Sequence, residues 1–450
     1  MEHVAHQMPM GTRGRLIVFS SNLQGGNPAV QGGEEAFTRL SYRPAIGFGM
    51  SLRGYRFRAY PLPDQEALLR RTFGCVRLVC NKALAERSDA WTKSKQSIGY
   101  LAQSRSLTEW KKQPDLAFLN EVSSVPLQQA LRHLQVAYTN FFKKRAAYPT
   151  FKRKGSGGNA EFTRSAFRWD AEAQALTLAK MDKPLDIRWS WPLPPNVTPT
   201  TVTVSLDASG RWHVSLLCED ARIQPLPEIE PAIGIDVGVT TLATLSTGEK
   251  IPNRRHDERL MSRKKRLSRR LARKQKGSKN WHKDRLKLAR NHARAADRRR
   301  DDTHKLSTRL VRETQVIVVE DLGIANMVRN RSLSRVISDA GWGELFRQLE
   351  YKCKWYGRDF LKIDRFHPSS KTCSCCGHVI DRLPLGVRHW TCPACKAEHD
   401  RDVNAARNIL AAGLAVTACG PDVRQRILRS MLQLGMKQES SSAKKRILVL

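Results

Sequence analysis

Two periodicities alternate along the first half of the chain. YRFRAY, from Tyr55, alternates apolar and polar side chains, the two-residue repeat of a strand with one buried face. Asp64 then stands where a helix N-cap belongs, and Leu68, Phe73, Val76, Cys80 and Ala83 follow at helical spacing. A second helix is predicted from about Pro126, with Leu127, Leu131, Leu134, Tyr138 and Phe141 along one face. Residues 160–220 return to period two. Val202, Val204 and Leu206 alternate, DASG supplies a turn, and Trp212, Val214 and Leu216 alternate back, which predicts a hairpin. With AEFTRSAFRW and QALTLAKM before it, this stretch reads as a small β-barrel, and YRFRAY, otherwise unpartnered, completes it. The Pro-rich ARIQPLPEIE, residues 221–230, reads as a linker.

The second half opens with AIGIDVGVTTLATLSTGEK, an apolar strand, a glycine turn and a second strand. Leu260, Leu267 and Leu271 keep helical phase, as do Leu286 and Ala293, which predicts two helices joined near QKGSKN. TQVIVVED is a third strand, and WGELFRQLEYKCKWYG an amphipathic helix. A cysteine-rich segment and a last helix, NAARNIL, follow, and a basic tail from about 412 has no assignable role. Residues 1–49 are rich in Gly, Ser and Gln without a sustained period and are expected to be disordered. MSLRGYRFRAYPLPDQ, from Met50, reads like a fresh start of the chain.

Charge changes this picture. Lys and Arg number 78 against 42 acids, a net +36. Residues 253–300 hold 21 Lys or Arg and four acids, so a net +17 falls on the predicted helix pair. Such helices repel one another unless a polyanion lies beside them, which argues against a small-molecule enzyme and for nucleic acid. Arg263, Lys264, Lys265 and Arg266 form their densest run. A second basic segment, KKRAAYPTFKRK, interleaves Tyr148 and Phe151 with Lys152, Arg153 and Lys154, a composition suited to base stacking with phosphate contact or to a basic loop over two buried rings. No apolar run approaches the roughly 18 residues of a membrane span. The run Leu16–Phe19 is too short for a signal peptide, so the expected location is cytoplasmic, on the nucleoid if the source is bacterial. Ten cysteines without a secretion signal point to free thiols or metal ligands.

Two constellations carry chemistry. Cys373 and Cys376 form one Cys-x-x-Cys pair, Cys392 and Cys395 another, and together they close a tetrahedral site suited to structural Zn²⁺. Cys375 is read as a bystander, able to replace Cys376. The other constellation is acidic. Asp236 ends one apolar strand and Glu320 another, and Asp402 stands just before the last helix. Lone carboxylates at core strands are costly, and three of them converging at one sheet edge would recruit Mg²⁺ or Mn²⁺ for phosphodiester cleavage. Asp400 competes with Asp402 for the third place, with capping or pairing to Arg401 or His399 as its alternative, and Asp321 should face away.

On these residues the chain resembles the TnpB family of RNA-guided nucleases from bacterial insertion sequences. YRFRAYPLPDQEALLRRTFGCVRLVCNKAL, GIDVGVTTLATLS, VIVVEDLGIANM and HPSSKTCSCCG…WTCPACKAEHDRDVNAARNIL carry the likeness, over roughly 50–410. The resemblance implies an α/β, RNase H-like split RuvC nuclease domain over 231–365 and 396–411, containing the basic helical pair 253–310. It implies a zinc-ribbon insert at 366–395, a β-barrel wedge domain from 50–60 and 155–222, and a helical recognition domain, 61–154, inserted in the barrel. It places the catalytic triad on Asp236, Glu320 and Asp402 and the zinc ligands on Cys373, Cys376, Cys392 and Cys395. Its expected partners are a guide RNA and double-stranded target DNA opened beside a short flanking motif. A compact type V CRISPR effector and a guided repressor that does not cut are the alternatives, and retention of all three acids argues against the repressor. The sequence leaves monomer and dimer open.

Overall fold

The computed structural model describes residues 15–17 and 52–418, apart from 156, 195, 196 and 385. The expectations for the remaining N-terminal residues and for the tail past 418 lie outside the described residues. Within the segment expected to be disordered, Arg15–Ile17 forms a strand. It takes in Leu16 and Ile17 of the short apolar run and pairs antiparallel with the strand edge that carries YRFRAY, Leu16 opposite Tyr55.

The described chain falls into two compact units, one up to Ile223 together with Arg266–Ala293, the other Gln224–Lys265 together with the chain from Arg294. In the first, β1 (Arg15–Ile17) and β2 (Leu52–Ala59) precede three helices, α1 (Pro63–Ser94), α2 (Tyr100–Trp110) and α3 (Ser124–Phe142). Then come β3 (Gly158–Thr163), the β4–β5 ribbon (Phe167–Asp170, Ala175–Leu178), β6 (Ile187–Arg188), β7 (Thr201–Leu206) and β8 (Trp212–Glu219). The sheet runs β1-β2-β8-β7-β3, with β6 also on β2. The strand containing YRFRAY is thus paired along its whole length, from Leu52 opposite Glu219 to Ala59 opposite Trp212. Sheet and helices share one core, in which Phe57, Leu84, Leu131, Val204 and Leu216 are all buried.

The second unit is an α/β fold. Its strands are β9 (Ala232–Asp236), β10 (Thr241–Leu245), β11 (Lys250–Pro252), β12 (Val316–Glu320) and β13 (Asp359–Ile363). Between β11 and β12 lie α4 (His256–Arg259), α5 (Met261–Ala272) and α6 (Lys279–Glu313), and α7 (Ile324–Met327), α8 (Ser334–Ala340) and α9 (Trp342–Tyr356) precede β13. A short hairpin, β14 (His389–Thr391) with β15 (Glu398–Asp400), leads into α10 (Arg401–Ala418). The sheet order is β11-β10-β9-β12-β13, antiparallel among β9, β10 and β11 and parallel from β9 through β12 to β13.

Strand alternation assigns the two faces. Ile233, Ile235, Ile317 and Val319 pack with Leu310 of α6 and Leu345, Phe346 and Leu349 of α9. Val318 and Ile363 turn the other way, to Ile409 of α10. Burial on both faces explains why VIVV carries no polar alternation. Helix α10 lies against the backbone of β9, where a Cβ on Gly234 would sit 2.1 Å from the Ala406 carbonyl oxygen. The same close approach recurs at Gly413, whose Cβ would meet Val318 Cγ1 at 2.4 Å. Glycine at these positions sets how deeply the helix beds into the sheet.

Candidate functional site

Period two along β9 and β12 places the acids. Gly234 faces α10, so Asp236, two residues on, falls on the same side. Val318 faces α10, and Glu320 likewise follows by two. The strands are neighbours in parallel register, with Val319 opposite Ile235, so the two carboxylates end adjacent strands on one face. Helix α10 starts at Arg401 and carries Asp402 in its first turn. One helix bedded on Gly234 thereby brings the third carboxylate towards the carboxyl ends of the strands, where open α/β sheets place their sites.

The electrostatics agree with this placement. Burial pushes the Asp236 carboxyl up to about 7, and the charges of Glu320 and Asp402 push it the same way, against Arg401. A carboxyl raised by burial and then by two neighbouring negative charges is a site whose cost a divalent cation would remove, and hard oxygen donors suit Mg²⁺ or Mn²⁺. Their oxygens stand further apart than the thiol cluster described below: among the described residues, the groups of three or more potential ligand atoms lying mutually within 4.8 Å are built on cysteine. Arg388 Nη1 pairs with Asp402 at 3.4 Å, and Ser369 Oγ donates to Glu320 Oε1 at 2.6 Å.

A pH dependence follows from Asp236. Its folded value near 7 lies above the ordinary carboxyl value of about 4, so stability present at acid pH is lost as pH rises through 7. In buffer without added divalent cation, Asp236→Asn is expected to match the native chain near pH 4. By pH 8 the variant should be more stable by on the order of 1–4 kcal/mol. Melting temperatures across that range check it, and an Asn variant no more stable at pH 8 than the native chain contradicts it.

Asp400 and Asp321 do other work. Asp400 Oδ1 accepts from the backbone amides of Asp402 and Val403 at 3.1 and 3.0 Å, capping α10, and Oδ2 pairs with Lys250 Nζ at 2.6 Å. That cap starts the helix earlier than NAARNIL suggests, so Asp402 lies inside the first turn and not before it. The partner is Lys250 on β11, not Arg401 or His399, because strand pairing carries β11 to this edge. Asp321 is half exposed and pairs with Arg365 at 3.1 Å.

The thiols form one cluster. Sγ atoms of Cys373, Cys376, Cys392 and Cys395 all lie within 4.8 Å of one another, with Cys373–Cys395 and Cys376–Cys392 both at 3.6 Å. A tetrahedron with metal–sulfur bonds of about 2.3 Å has edges of about 3.8 Å, so the donor set fits zinc. Each pair sits on a tight turn closed by the residue after its second cysteine, Gly377 at φ 76° and Lys396 at φ 60°. Gly377 N donates to the Cys373 carbonyl at 2.9 Å, and Lys396 N to that of Cys392 at 2.9 Å. Cys375 is exposed and outside this tetrad, although Cys373, Cys375 and His399 make a second close group. Buried His399, its ring tilted at 42° against that of Trp390, contacts Cys373 Sγ through Nε2 at 3.0 Å. Sequence spacing gave no sign of this histidine.

The basic segment after α3 is braced. Asn81 on α1 exchanges two hydrogen bonds with the Lys152 backbone, at 2.9 and 2.8 Å. Phe151 is 56% exposed and Tyr148 45%, so these are not buried rings under a basic loop. Tyr148 is anchored by its hydroxyl to Ser88 and Tyr138, at 2.9 and 3.0 Å. Phe142, 75% exposed beside them, was missed because it ends a helical pattern. Lys152, Arg153 and Lys154 are exposed, as are Arg263, Lys265 and Arg266, whereas Lys264 is tied to Asp257 at 3.1 Å. No helix among the described residues is long and apolar enough to cross a membrane.

Three family models match: "Helix-turn-helix domain" over residues 50–96, "Probable transposase" over 215–331 and "Cas12f1-like, TNB domain" over 342–409. A Streptomyces pristinaespiralis protein named "Putative RNA-guided DNA endonuclease" is 58% identical, across 87% of this chain and 97% of its own. InsQ of Escherichia coli K12, which carries the same description, is 35% identical across 83% of this chain and 95% of its own. A solved Cas12f1–sgRNA–target DNA complex overlaps 76% of this chain and 81% of that one, with 16% identity and a TM-score of 0.46. By its identity to these relatives and its coverage of nearly their whole length, the chain belongs to the TnpB family of RNA-guided DNA endonucleases.

Proposed function

We propose that this protein cleaves double-stranded DNA beside a short flanking motif, at sites chosen by a bound guide RNA, using Asp236, Glu320 and Asp402 as metal ligands. One observation carries the reading. Three carboxylates from two neighbouring strands and one helix come to one edge of the sheet, where burial first, and then the charges of Glu320 and Asp402, raise Asp236 to about 7. When bound, a pair of Mg²⁺ or Mn²⁺ ions supplies activation of the attacking water and stabilisation of the leaving oxygen. The residues do the rest. Asp236 and Glu320, fixed by strand pairing, set the rear of the site, and Asp402 closes it from the helix. Cys373, Cys376, Cys392 and Cys395 hold Zn²⁺ in a closed site with a structural role.

Nucleic acid occupies the basic surfaces under this reading. Tyr148, Phe151, Lys152, Arg153 and Lys154 contact it through stacking and phosphate pairing, and Arg263, Lys264, Lys265 and Arg266 through phosphates. Base pairing supplies the sequence choice, so the protein needs charge and shape more than base-edge readout. The division proposed is a wedge at 50–60 and 155–222, a recognition domain at 61–154, a nuclease domain at 231–365 and 396–411 with the helical pair 253–310, and a zinc ribbon at 366–395.

The test is direct. RNA that copurifies with the protein is sequenced, and the purified complex is incubated with Mg²⁺ and DNA matching that RNA. The expected result is one discrete RNA species and cleavage of both strands of matched DNA only. Heterogeneous RNA, or equal cutting of matched and unmatched DNA, overturns the guided reading.

A further inference from the structure

Glu320 has a partner that lies within the stretch HPSSKTCSCCG, where the thiol spacing gives it no role. Ser369, 7% exposed, donates its hydroxyl to Glu320 Oε1 at 2.6 Å. Ser369 is in turn held from the helix that carries Asp402. Asn408 Nδ2 donates to the Ser369 carbonyl at 2.7 Å, with Asn404 Nδ2 at 3.5 Å from the same oxygen. The two amides also reach the Thr372 carbonyl, at 2.7 Å from Asn404 and 2.6 Å from Asn408. Asn404 Oδ1 accepts from the Ser374 amide at 2.9 Å, next to the first zinc-binding cysteine. Asn404 and Asn408 are 1% and 7% exposed and stand four apart on one face of α10.

Buried amides must find partners, so packing alone accounts for the two asparagines. It does not account for Ser369, whose hydroxyl is spent on a carboxylate at the end of a strand. We propose that Ser369 is a positioning residue for metal binding: its hydroxyl occupies Oε1 of Glu320 and leaves Oε2 to face the space shared with Asp236 and Asp402. The inference rests on the metal-site reading above. The arrangement makes one helix responsible for two ligands, Asp402 directly and Glu320 through Asn404, Asn408 and Ser369. It also gives the cysteine-rich insert a physical route to the site, since the Ser374 amide is fixed by the same asparagine.

Loss of an outer partner of a metal ligand typically costs 10–100-fold in affinity or activity. The experiment compares the full-length native chain with Ser369→Ala and Ser369→Thr. Mn²⁺ binding to each is titrated by electron paramagnetic resonance, and the Mg²⁺ concentration for half-maximal cutting of matched DNA is measured on the RNA complexes. Ser369→Ala is expected to weaken Mn²⁺ binding and raise the Mg²⁺ requirement by about tenfold, with zinc content and DNA binding unchanged. Ser369→Thr, which keeps the hydroxyl, is expected to stay within about twofold of the native chain. Native-like Mn²⁺ and Mg²⁺ dependence in the alanine variant overturns the proposal, as does a threonine variant as impaired as alanine. If alanine destabilises the fold, the threonine variant decides by the same criterion. A native chain that binds Mn²⁺ in a Ser369-dependent way but cuts nothing keeps this inference and sinks the proposed nuclease. A native chain that binds no Mn²⁺ sinks both.

Discussion

Replacing Asp236 with alanine is expected to lower cleavage of guide-matched DNA by about a thousandfold or more, a loss of at least about 4 kcal/mol of transition-state stabilisation. Retention of RNA and of matched DNA should be unchanged. The two halves of this expectation have separate physical sources. Under the proposed function cutting depends on the carboxylate cluster, and Asp236 is the member that feels both others: burial raises it first, then Glu320, then Asp402. Removing it leaves two acids, one on β12 and one on α10, with no carboxylate on β9 to complete the set. Binding, under the same proposal, depends on the chain's net +36 and on guide–target pairing, neither of which alanine at 236 alters appreciably. Single-turnover cutting assays and filter binding on one preparation separate the two. An alanine variant that cuts at the native rate removes Asp236 from the site, and one that neither binds nor cuts shows a folding defect instead.

Much of this site was legible in the sequence because it sits on strongly patterned elements. GID and VIVVE each end an apolar strand in an acid, and two such strands are natural neighbours in a parallel sheet. The thiol spacing was legible for a different reason: two Cys-x-x-Cys turns close a tetrahedron almost regardless of what lies between them. What escaped detection depends on contacts distant in sequence. Strand β13 carries Asp359 and Lys362 among Phe360, Leu361 and Ile363, so its pattern is broken, and it is a strand because β12 offers it an edge. Lys250 meets Asp400 across 150 residues, and Ser369 meets Glu320 across 49, with no local signal for either. Asn404 and Asn408 look like ordinary polar positions on an amphipathic helix until the loop they hold is seen. The choice of Asp402 over Asp400 rests in the sequence on helix adjacency and on the family resemblance, and in the structure both oxygens of Asp400 are already engaged, on the helix cap and on Lys250.

The zinc tetrad should decide whether the segment between β13 and α10 has a shape at all. The native chain is expected to purify with about one zinc per chain, and Cys392→Ala with almost none, since a structural site needs all four ligands. Zinc coordination of this kind is worth about 10–16 kcal/mol at neutral pH, far more than the local packing can replace. The apolar core of the insert is Cys373, Trp390 and Cys392, with Ile380, Leu383 and Val387 packed on it, so two of its three buried members are thiols of the tetrad. Without the metal that cluster cannot support a fold, and limited proteolysis should open the chain between about 370 and 396 while the sheet of β9 and β12 stays protected. Cutting should fall with it, because the same segment carries Ser369, which grips Glu320, and leads directly into the cap of Asp402's helix. Cys375→Ala is the control: this thiol is exposed and outside the tetrad, so zinc content and proteolytic pattern should match the native chain. Full zinc occupancy in Cys392→Ala, or a native insert that resists protease after zinc is stripped, would show that the hook is held by packing and not by metal.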